Sequence, residues 1–509
     1  MIDRSCKNLL VRGVNWIGDA VMTMPALRAL RKGLPDTKIS LLVKPWVAPL
    51  FENNPYIDEI ILYEEKHKGL SGKLNLSAVL RKKRFCSCIL FQNAFDAALT
   101  AFLSKIPERI GYSRDFRGLL LTKAIPFNNE DRTMHHVYYY LNLLKKTGIN
   151  AEYSLPYIYL SIEERLKARE LLKDIKRPVI GINPGATYGS TKRWPAERFA
   201  AVAGRIVSEL YGSIIIFGSQ SEVAIAEEII SKPQIPNPKS QILNMSGKTN
   251  LRELSALISE CDIFLTNDSG PMHIAYAVRT PLVAIFGSTD PALTGPLGKG
   301  NILIKKDMDC SPCFKRRCFK PTMECMNAIT SDEVFAAIKS LSPQNKAVFF
   351  DRDGTLCKDV NYLNRFEDLE IFREVEELSL LKDKGFKLIG VSNQSGIARG
   401  IVDEAFTRDV NKIFIKKYGF DDFYYCPHQP DERCSCRKPE PDMLLIARAE
   451  HKIDFKKSYI IGDKEADMLL AKTTGAKGIL VLTGQGTESA NADYIAKDLK
   501  RAVQWILNL

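Results

Sequence analysis

Two carboxylates one residue apart, Asp351 and Asp353, follow directly on an apolar run in KAVFFDRDGTL. The pattern describes a strand delivering acid groups to its end, and in open α/β sheets ligands sit beyond the carboxyl ends of the strands. Placed there, one carboxylate can attack phosphorus as a nucleophile and help to hold Mg²⁺, while the other carries a proton to the leaving alkoxide. Thr355 is positioned to bond the phosphoryl oxygens. Taken alone, the same D-x-D is equally well read as an acidic turn that water solvates.

Three later segments change that balance. VSNQSG follows the apolar KLIGV and brings Ser392 and Asn393 to a second strand end. RKPEP supplies Lys438, and YIIGDKEADM brings Asp463 and Asp467 to a third strand end. Four such elements in this order resemble the haloacid dehalogenase phosphatase superfamily. The resemblance implies Asp351 as nucleophile, Asp353 as acid and base, and Ser392, Asn393 and Lys438 around the phosphate. It places Mg²⁺ on Asp351, Asp463 and the Asp353 carbonyl, with Asp467 in support.

Between these segments, YYCPHQPDERCSCRKPEP contains Cys426, His428, Cys434 and Cys436. Three thiolates and an imidazole on one short loop suit tetrahedral Zn²⁺ with no open position, hence a structural ion. It would stiffen the loop and aim Arg437 and Lys438 at the substrate. The cluster beside RKP is similar to the subfamily holding the D-glycero-D-manno-heptose 1,7-bisphosphate 7-phosphatases and the histidinol-phosphatase domain. DRDGTLCKDVNYL and NQSGIARG favour the heptose side, whereas the short loop is nearer the histidinol side. Arg399 and Arg437 are candidates for a distal phosphate, with a solvated guanidinium the simpler reading of Arg399. Cys357 is expected to pack.

The chain ahead of these motifs alternates strands and helices twice over, as in two Rossmann-like halves. NLLVRG passes into VNWIGDAVMTMPALRALRKGLP without a G-x-G-x-x-G, which argues against a dinucleotide in the first turn. Asp19 sits where that strand hands over to a helix, and a helix N-cap is its simplest role. Pro25 either kinks this helix or marks its true first turn. Further on, RPVIGINPGAT and SIIIFGSQSE each read as a strand and loop. IFLTNDSGPMHIAYAV ends a strand at Asp268, Ser269 and Gly270 and opens a helix with Pro271. The free N–H groups there suit a pyrophosphate, while a helix capped by Asp268 or Ser269 is the plainer alternative.

WIGDAVMTMPAL, PGATYGSTKRWP and TNDSGPMHIAYA resemble the ADP-heptose:lipopolysaccharide heptosyltransferases, glycosyltransferase family 9, over almost all of residues 8 to 341. That resemblance implies a metal-independent, inverting GT-B enzyme. Asp19 would deprotonate the acceptor hydroxyl, and Lys192 would neutralise the leaving diphosphate. Ser269, Gly270 and His273 would line the phosphates beside Asp268, and Glu222 would bond the ribose. CSPCFKRRCFKPTMEC, with Cys310, Cys313, Cys318 and Cys325, looks like a segment of many heptosyltransferase II sequences; zinc or a reduced loop both fit it.

These elements must be carried by about three domains, since 509 residues exceed one core. The expected boundaries are 1–160, an acceptor-side Rossmann-like lobe, 161–343, an ADP-sugar lobe, and 346–509, a phosphatase domain, joined by SPQNK. The fold class is α/β throughout. A net charge of +12 calls for an acidic partner, and no nucleic-acid motif accompanies it. No apolar stretch reaches a membrane span and no signal core opens the chain. A cytoplasmic protein with reduced cysteines is expected, held peripherally at the inner membrane. Arg109, Arg114 and Arg117 read as surface residues, and the pair His135 and His136 receives no role.

The partners these resemblances imply are ADP-heptose, a lipid A-core acceptor and heptose 1,7-bisphosphate. Both point to lipopolysaccharide inner-core assembly by a bifunctional enzyme. A histidinol-phosphatase or other sugar phosphatase, or a non-catalytic sugar-nucleotide or lipid-headgroup binder in the amino half, are the alternatives.

Overall fold

The computed structural model describes residues 2, 5–235 and 241–509. The chain separates into two compact units, Met1–Ser340 and Leu341–Leu509. The first holds two six-stranded parallel sheets and the second holds one.

The first sheet comprises β1 (Asn8–Arg12), β2 (Lys38–Val43), β3 (Glu59–Leu62), β4 (Ser87–Leu90), β5 (Glu108–Tyr112) and β6 (Lys123–Ile125). Their order is β3-β2-β1-β4-β5-β6. The second comprises β7 (Val179–Asn183), β8 (Ser213–Ile216), β9 (Ile242–Asn244), β10 (Ile263–Asn267), β11 (Leu282–Phe286) and β12 (Asn301–Lys305), ordered β12-β11-β10-β7-β8-β9. Central strands such as β4, β7 and β10 are buried along their whole length, as strands covered by helices on both faces must be. One apolar cluster runs through both lobes, from Leu9 and Met24 to Phe264 and Met272.

In the second unit, β13 (Lys346–Phe350), β14 (Phe386–Asn393), β15 (Asp422–Cys426), β16 (Tyr459–Gly462), β17 (Lys477–Val481) and β18 (Tyr494–Ala496) lie in the order β15-β14-β13-β16-β17-β18. Phe350 is in register with Gly390 on one side and Ile461 on the other, so Asp351 leaves the sheet between two neighbouring strand ends.

Pro25 lies inside the helix Ile17–Gly33, which neither starts nor stops there. The cysteines are not all reduced: Cys6 and Cys86 form a disulfide. These residues precede the adjacent strands β1 and β4, and parallel pairing brings the strands' amino ends together across 80 residues of sequence. Thiol titration of the unfolded chain in chelator is expected to count ten free cysteines, rising to all twelve after reduction.

Candidate active sites

In the first unit, the helix Ile17–Gly33 begins just past β1, where the sheet order reverses between β1 and β4. Its N-cap position is Trp16, so Asp19 does not cap the helix. Asp19 Oδ1 instead lies 3.3 Å from His136 Nδ1 and accepts a hydrogen bond in the tautomer that carries its proton there. The two line a cavity of about 780 Å³ with Arg114, Arg132 and Tyr139. His136, which received no role from the sequence, is thus the nearest polar neighbour of the expected base. No local spacing announced it, because 117 residues separate the pair.

The second sheet reverses between β7 and β10, and the expected donor-side residues gather at that break. Lys192 Nζ lies 2.5 Å from Asp268 Oδ2 and above the ring of Tyr188. Thr289 Oγ1 donates to the same Asp268 oxygen at 2.6 Å. Neither Asp268 nor Ser269 caps the helix Gly270–Ala277, contrary to the plainer expectation. Asp268 is held by Lys192, and Ser269 Oγ lies 3.0 Å from Thr266 Oγ1 and 3.3 Å from Asn183 Nδ2. No side chain caps the first N–H groups of that helix, and such a start suits an anion. Glu222 is buried, one carboxylate oxygen accepting from the Ser219 N–H at 2.8 Å.

The two lobes meet at these helix starts. A Cβ on Gly18 would fall 2.6 Å from the ring of His273, so only glycine permits the approach. Burial pushes the His273 imidazole down to about 4, against the pull of Asp268 and Asp19. The ring is neutral at physiological pH and offers a hydrogen bond, not a charge.

Cys310, Cys313, Cys318 and Cys325 are free thiols, and among the described residues they do not gather at metal-ligand spacing. Their loop braces the Lys192 turn. Thr191 Oγ1 donates to the Lys315 carbonyl at 2.6 Å, and the Tyr188 hydroxyl donates to that of Phe314 at 2.7 Å. Arg117 is not a surface residue: it is fully buried, its guanidinium donating to the carbonyls of Gln92 and Tyr112. Arg109 turns back on the carbonyls of Ile106 and Leu120.

In the second unit, Asp351, Asp463 and Asp467 bring carboxylate oxygens within 4.8 Å of one another. The buried Lys438 ammonium donates to Asp351 at 2.7 Å, to Asp467 at 2.6 Å and to the Val391 carbonyl at 2.9 Å. Burial works against this ammonium, but Asp351 and Asp467 prevail and hold its pKa above the usual lysine range. Burial, followed by the charge of Asp351, pushes Asp463 up to about 7. Asp463 Oδ1 is buried without a partner, and Cβ atoms on Gly354 and Gly484 would fall 2.5 and 2.1 Å from its carboxylate. Three crowded carboxylates, one of them with an unmet oxygen, suit a small divalent cation such as Mg²⁺.

Asp353 lies outside that cluster. Its carboxylate is gripped by the Arg352 guanidinium at 3.0 Å and by Gln394 Nε2 at 2.7 Å. Its side chain is therefore not a metal ligand here, which leaves only its carbonyl for the expected role. Burial opposes the charged form of Asp353, yet Arg352 and Gln394 outweigh it and hold the pKa below the usual carboxylate range. Gln394 also donates to Ser392 Oγ at 2.7 Å. Thr355 Oγ1 is buried and without a partner. Cys357 is a buried thiol.

The loop after β15 places Cys426, Cys434 and Cys436 with sulfurs 3.3 to 3.5 Å apart, and His428 Nδ1 lies 3.2 Å from Cys436. These four atoms surround a single point at metal-ligand spacing. The loop is fastened to the site through Asn393, whose Oδ1 accepts from the Lys438 N–H at 3.0 Å. Arg437 donates to the His428 carbonyl at 3.4 Å, and Arg399 is exposed.

Three parallel sheets with their polar clusters at the strand-order reversals define a two-lobed glycosyltransferase joined to a phosphatase of the haloacid dehalogenase type. Family comparison agrees: residues 74–323 match glycosyltransferase family 9 (heptosyltransferase) and residues 435–502 match the HAD-hydrolase-like family. The chain belongs to both families, one in each unit.

It is 32% identical over 310 residues to lipooligosaccharide heptosyltransferase 2 of Haemophilus influenzae, covering 58% of this chain and 88% of that relative. It is 39% identical over 169 residues to the D-glycero-beta-D-manno-heptose-1,7-bisphosphate 7-phosphatase of Helicobacter pylori, covering 32% of this chain and 97% of that one. The solved structure of E. coli ADP-heptose LPS heptosyltransferase II superposes with a TM-score of 0.56 at 26% identity, over 66% of this chain and 98% of its own.

A protonated Asp463 favours the metal-free fold at low pH. Its pKa is higher folded than unfolded, so this contribution is full below the unfolded value near 4 and falls as pH rises towards about 7. Mg²⁺ binding must displace that proton. The Mg²⁺-induced rise in melting temperature of the second unit is therefore expected to be larger at about pH 8 than at about pH 6, as thermal scans would show.

Proposed function

We propose that the chain is a bifunctional enzyme of lipopolysaccharide inner-core assembly. The first unit passes heptose from ADP-heptose to a lipid A-core acceptor with inversion. The second removes the 7-phosphate of D-glycero-D-manno-heptose 1,7-bisphosphate. The observation that carries the phosphatase reading is Lys438, whose ammonium bridges Asp351 and Asp467 beside the unpartnered oxygen of Asp463.

In the phosphatase, an Asp351 carboxylate oxygen attacks phosphorus and the phosphorus–oxygen bond to the sugar breaks. Lys438, Ser392 and Thr355 bind the phosphoryl oxygens. Asp353 supplies a proton to the departing alkoxide in the first half and takes one from water in the second. Its contact with Arg352 favours the carboxylate, the form required for the second half, in which water attacks the phosphoaspartate and frees phosphate and Asp351. The proton for the first half is taken up from solvent before the alkoxide departs. Mg²⁺ held by Asp351, Asp463 and the Asp353 carbonyl, with Asp467 in support, would offset negative charge around the phosphate. The second metal site is assigned to structural Zn²⁺ on Cys426, His428, Cys434 and Cys436, orienting Arg437 and Lys438.

In the transferase, residues 1–160 carry Asp19 as the base for the acceptor hydroxyl, and residues 161–343 hold the donor. Lys192 and the open start of the helix Gly270–Ala277 neutralise the departing diphosphate, which needs no metal. Neutral His273 donates a hydrogen bond to it, and Glu222 bonds the ribose. Among the described residues no helix is long and apolar enough to cross a membrane. Peripheral contact with the inner membrane would bring the acceptor within reach; nucleic acid has no part in the scheme.

Purified protein with Mg²⁺ is expected to release only the 7-phosphate from heptose 1,7-bisphosphate and to leave histidinol phosphate intact. Asp351→Asn should lower that rate by roughly a thousandfold or more. Turnover of histidinol phosphate with silence on heptose bisphosphate would assign the second unit elsewhere. In the first unit, Asp19→Ala should lower heptosyl transfer by about a hundredfold or more. Donor affinity, measured by calorimetry with ADP-heptose, should be unchanged.

A further inference from the structure

We propose that the strap of residues 483–486 is a positioning element of the phosphatase site, which occupies one oxygen of Asp463 and so presents the other, alone, to a divalent cation. The inference rests on the reading of Asp351, Asp463 and the Asp353 carbonyl as holding Mg²⁺, and it adds which residues aim a ligand there.

The path of the chain explains the contact. Gly462, at the end of β16, is in register with Leu480 of β17, so Asp463 emerges beside the end of the neighbouring strand. β17 stops at Val481, and the Leu482 N–H still donates to the Ala496 carbonyl of β18 at 3.0 Å. The next four residues, Thr483, Gly484, Gln485 and Gly486, turn back across Asp463.

Their approach is too close for a side chain. A Cβ on Gly484 would fall 2.1 Å from Asp463 Oδ2, and one on Gly486 would fall 2.3 Å from the Asp463 carbonyl oxygen. With glycine at both positions, the Gln485 N–H reaches Asp463 Oδ2 and donates to it at 2.9 Å. Gly354 closes on the same carboxylate from the loop after β13, where a Cβ would fall 2.5 Å from Oδ2. The carboxylate is confined from two sides with one oxygen satisfied, while Oδ1 is buried and has no partner. A buried carboxylate oxygen left unmet is costly. A cation shared with Asp351 would meet it.

The strap is pinned at both ends to the segment that carries the nucleophile. Thr483 Oγ1 donates to the Gly354 carbonyl at 2.6 Å. Gln485 Nε2 donates to Asp359 Oδ2 at 2.7 Å, and the Lys464 ammonium reaches that same oxygen at 3.2 Å. Asp351, Gly354 and Asp359 lie on one short stretch of chain, so the strap holds the carboxylate that follows β16 in one frame with the nucleophile that follows β13. Hydrogen bonds to a ligating carboxylate orient it and raise its affinity for the metal. Thr483 and Gln485 are therefore positioning residues, acting through Asp463.

The test is calorimetric titration of the full chain with MgCl₂, beside Asp463→Asn, the double variant Thr483→Val, Gln485→Ala, and Gly484→Ala. The wild type should bind Mg²⁺, and Asp463→Asn should abolish that binding. The double variant should bind at least roughly tenfold more weakly. Its metal-free melting temperature should fall by only about 2–4 °C for each hydrogen bond lost. Gly484→Ala leaves both anchors in place, pushes the strap off Asp463 and should weaken Mg²⁺ binding likewise. Thr483→Ser keeps the hydroxyl and should bind as the wild type does. Wild-type affinity in both the double variant and Gly484→Ala overturns the proposal and leaves the Mg²⁺ reading standing. So does a loss in Thr483→Ser as large as in the double variant, since packing and not the hydroxyl would then hold the strap. A wild type that binds no Mg²⁺, or whose binding survives Asp463→Asn, overturns the Mg²⁺ reading and the proposal with it.

Discussion

A parallel strand surrounds its own backbone with neighbours and leaves only the residues just past its carboxyl end free to do chemistry. That constraint governs each of the three sheets. Their strand orders reverse between β1 and β4, between β7 and β10, and between β13 and β16. At each reversal the adjacent connections depart to opposite sides and open a crevice. Asp19, Asp268 and Asp351 lie at the three crevices, and the remaining polar groups are arranged to serve them. One architectural rule, used three times, places the groups of two different reactions.

What distinguishes the sites is how each manages charge. The phosphatase site crowds carboxylates around Lys438 and encloses Asp463 beside glycines, so that its resting state calls for a cation. Among the described residues, the transferase site holds no such cluster. Its positive elements are Lys192, already matched by Asp268, and the main-chain N–H groups of a helix start. In the proposed reactions, departure of a diphosphate would draw on the helix dipole and Lys192, and departure of a sugar alkoxide on a proton. The neutral state of His273 follows the same logic, because burial between two lobes disfavours a further charge there.

The phosphatase motifs were legible because their groups are local: Asp351, Ser392, Lys438 and Asp463 each stand directly at a strand end or in a short tight loop. The alternation of apolar runs was enough to place them. Residues that meet only through the fold were not legible. His136 reaches Asp19 across 117 residues of sequence, Arg117 looks like any surface arginine until its carbonyl partners are seen, and Gly18 gives no sign that a histidine ring will lie against its missing Cβ. Cys6 and Cys86 misled in the opposite direction, since a rule about compartment took precedence over strand pairing that brings them together. Asp268 is the instructive error: local propensity assigns it to a helix cap, but Lys192 and Thr289 compete for it and win.

The uncapped start of the helix Gly270–Ala277 has a bearing on how such a protein can change over generations. A side chain that capped those N–H groups would add stability, and substitutions of that kind lie a single codon step from many sequences. In the proposed transfer, the improvement would occupy the place of the diphosphate. Under that reading, selection for a sturdier fold and selection for turnover pull in opposite directions at one short stretch of backbone, where no side chain caps the helix.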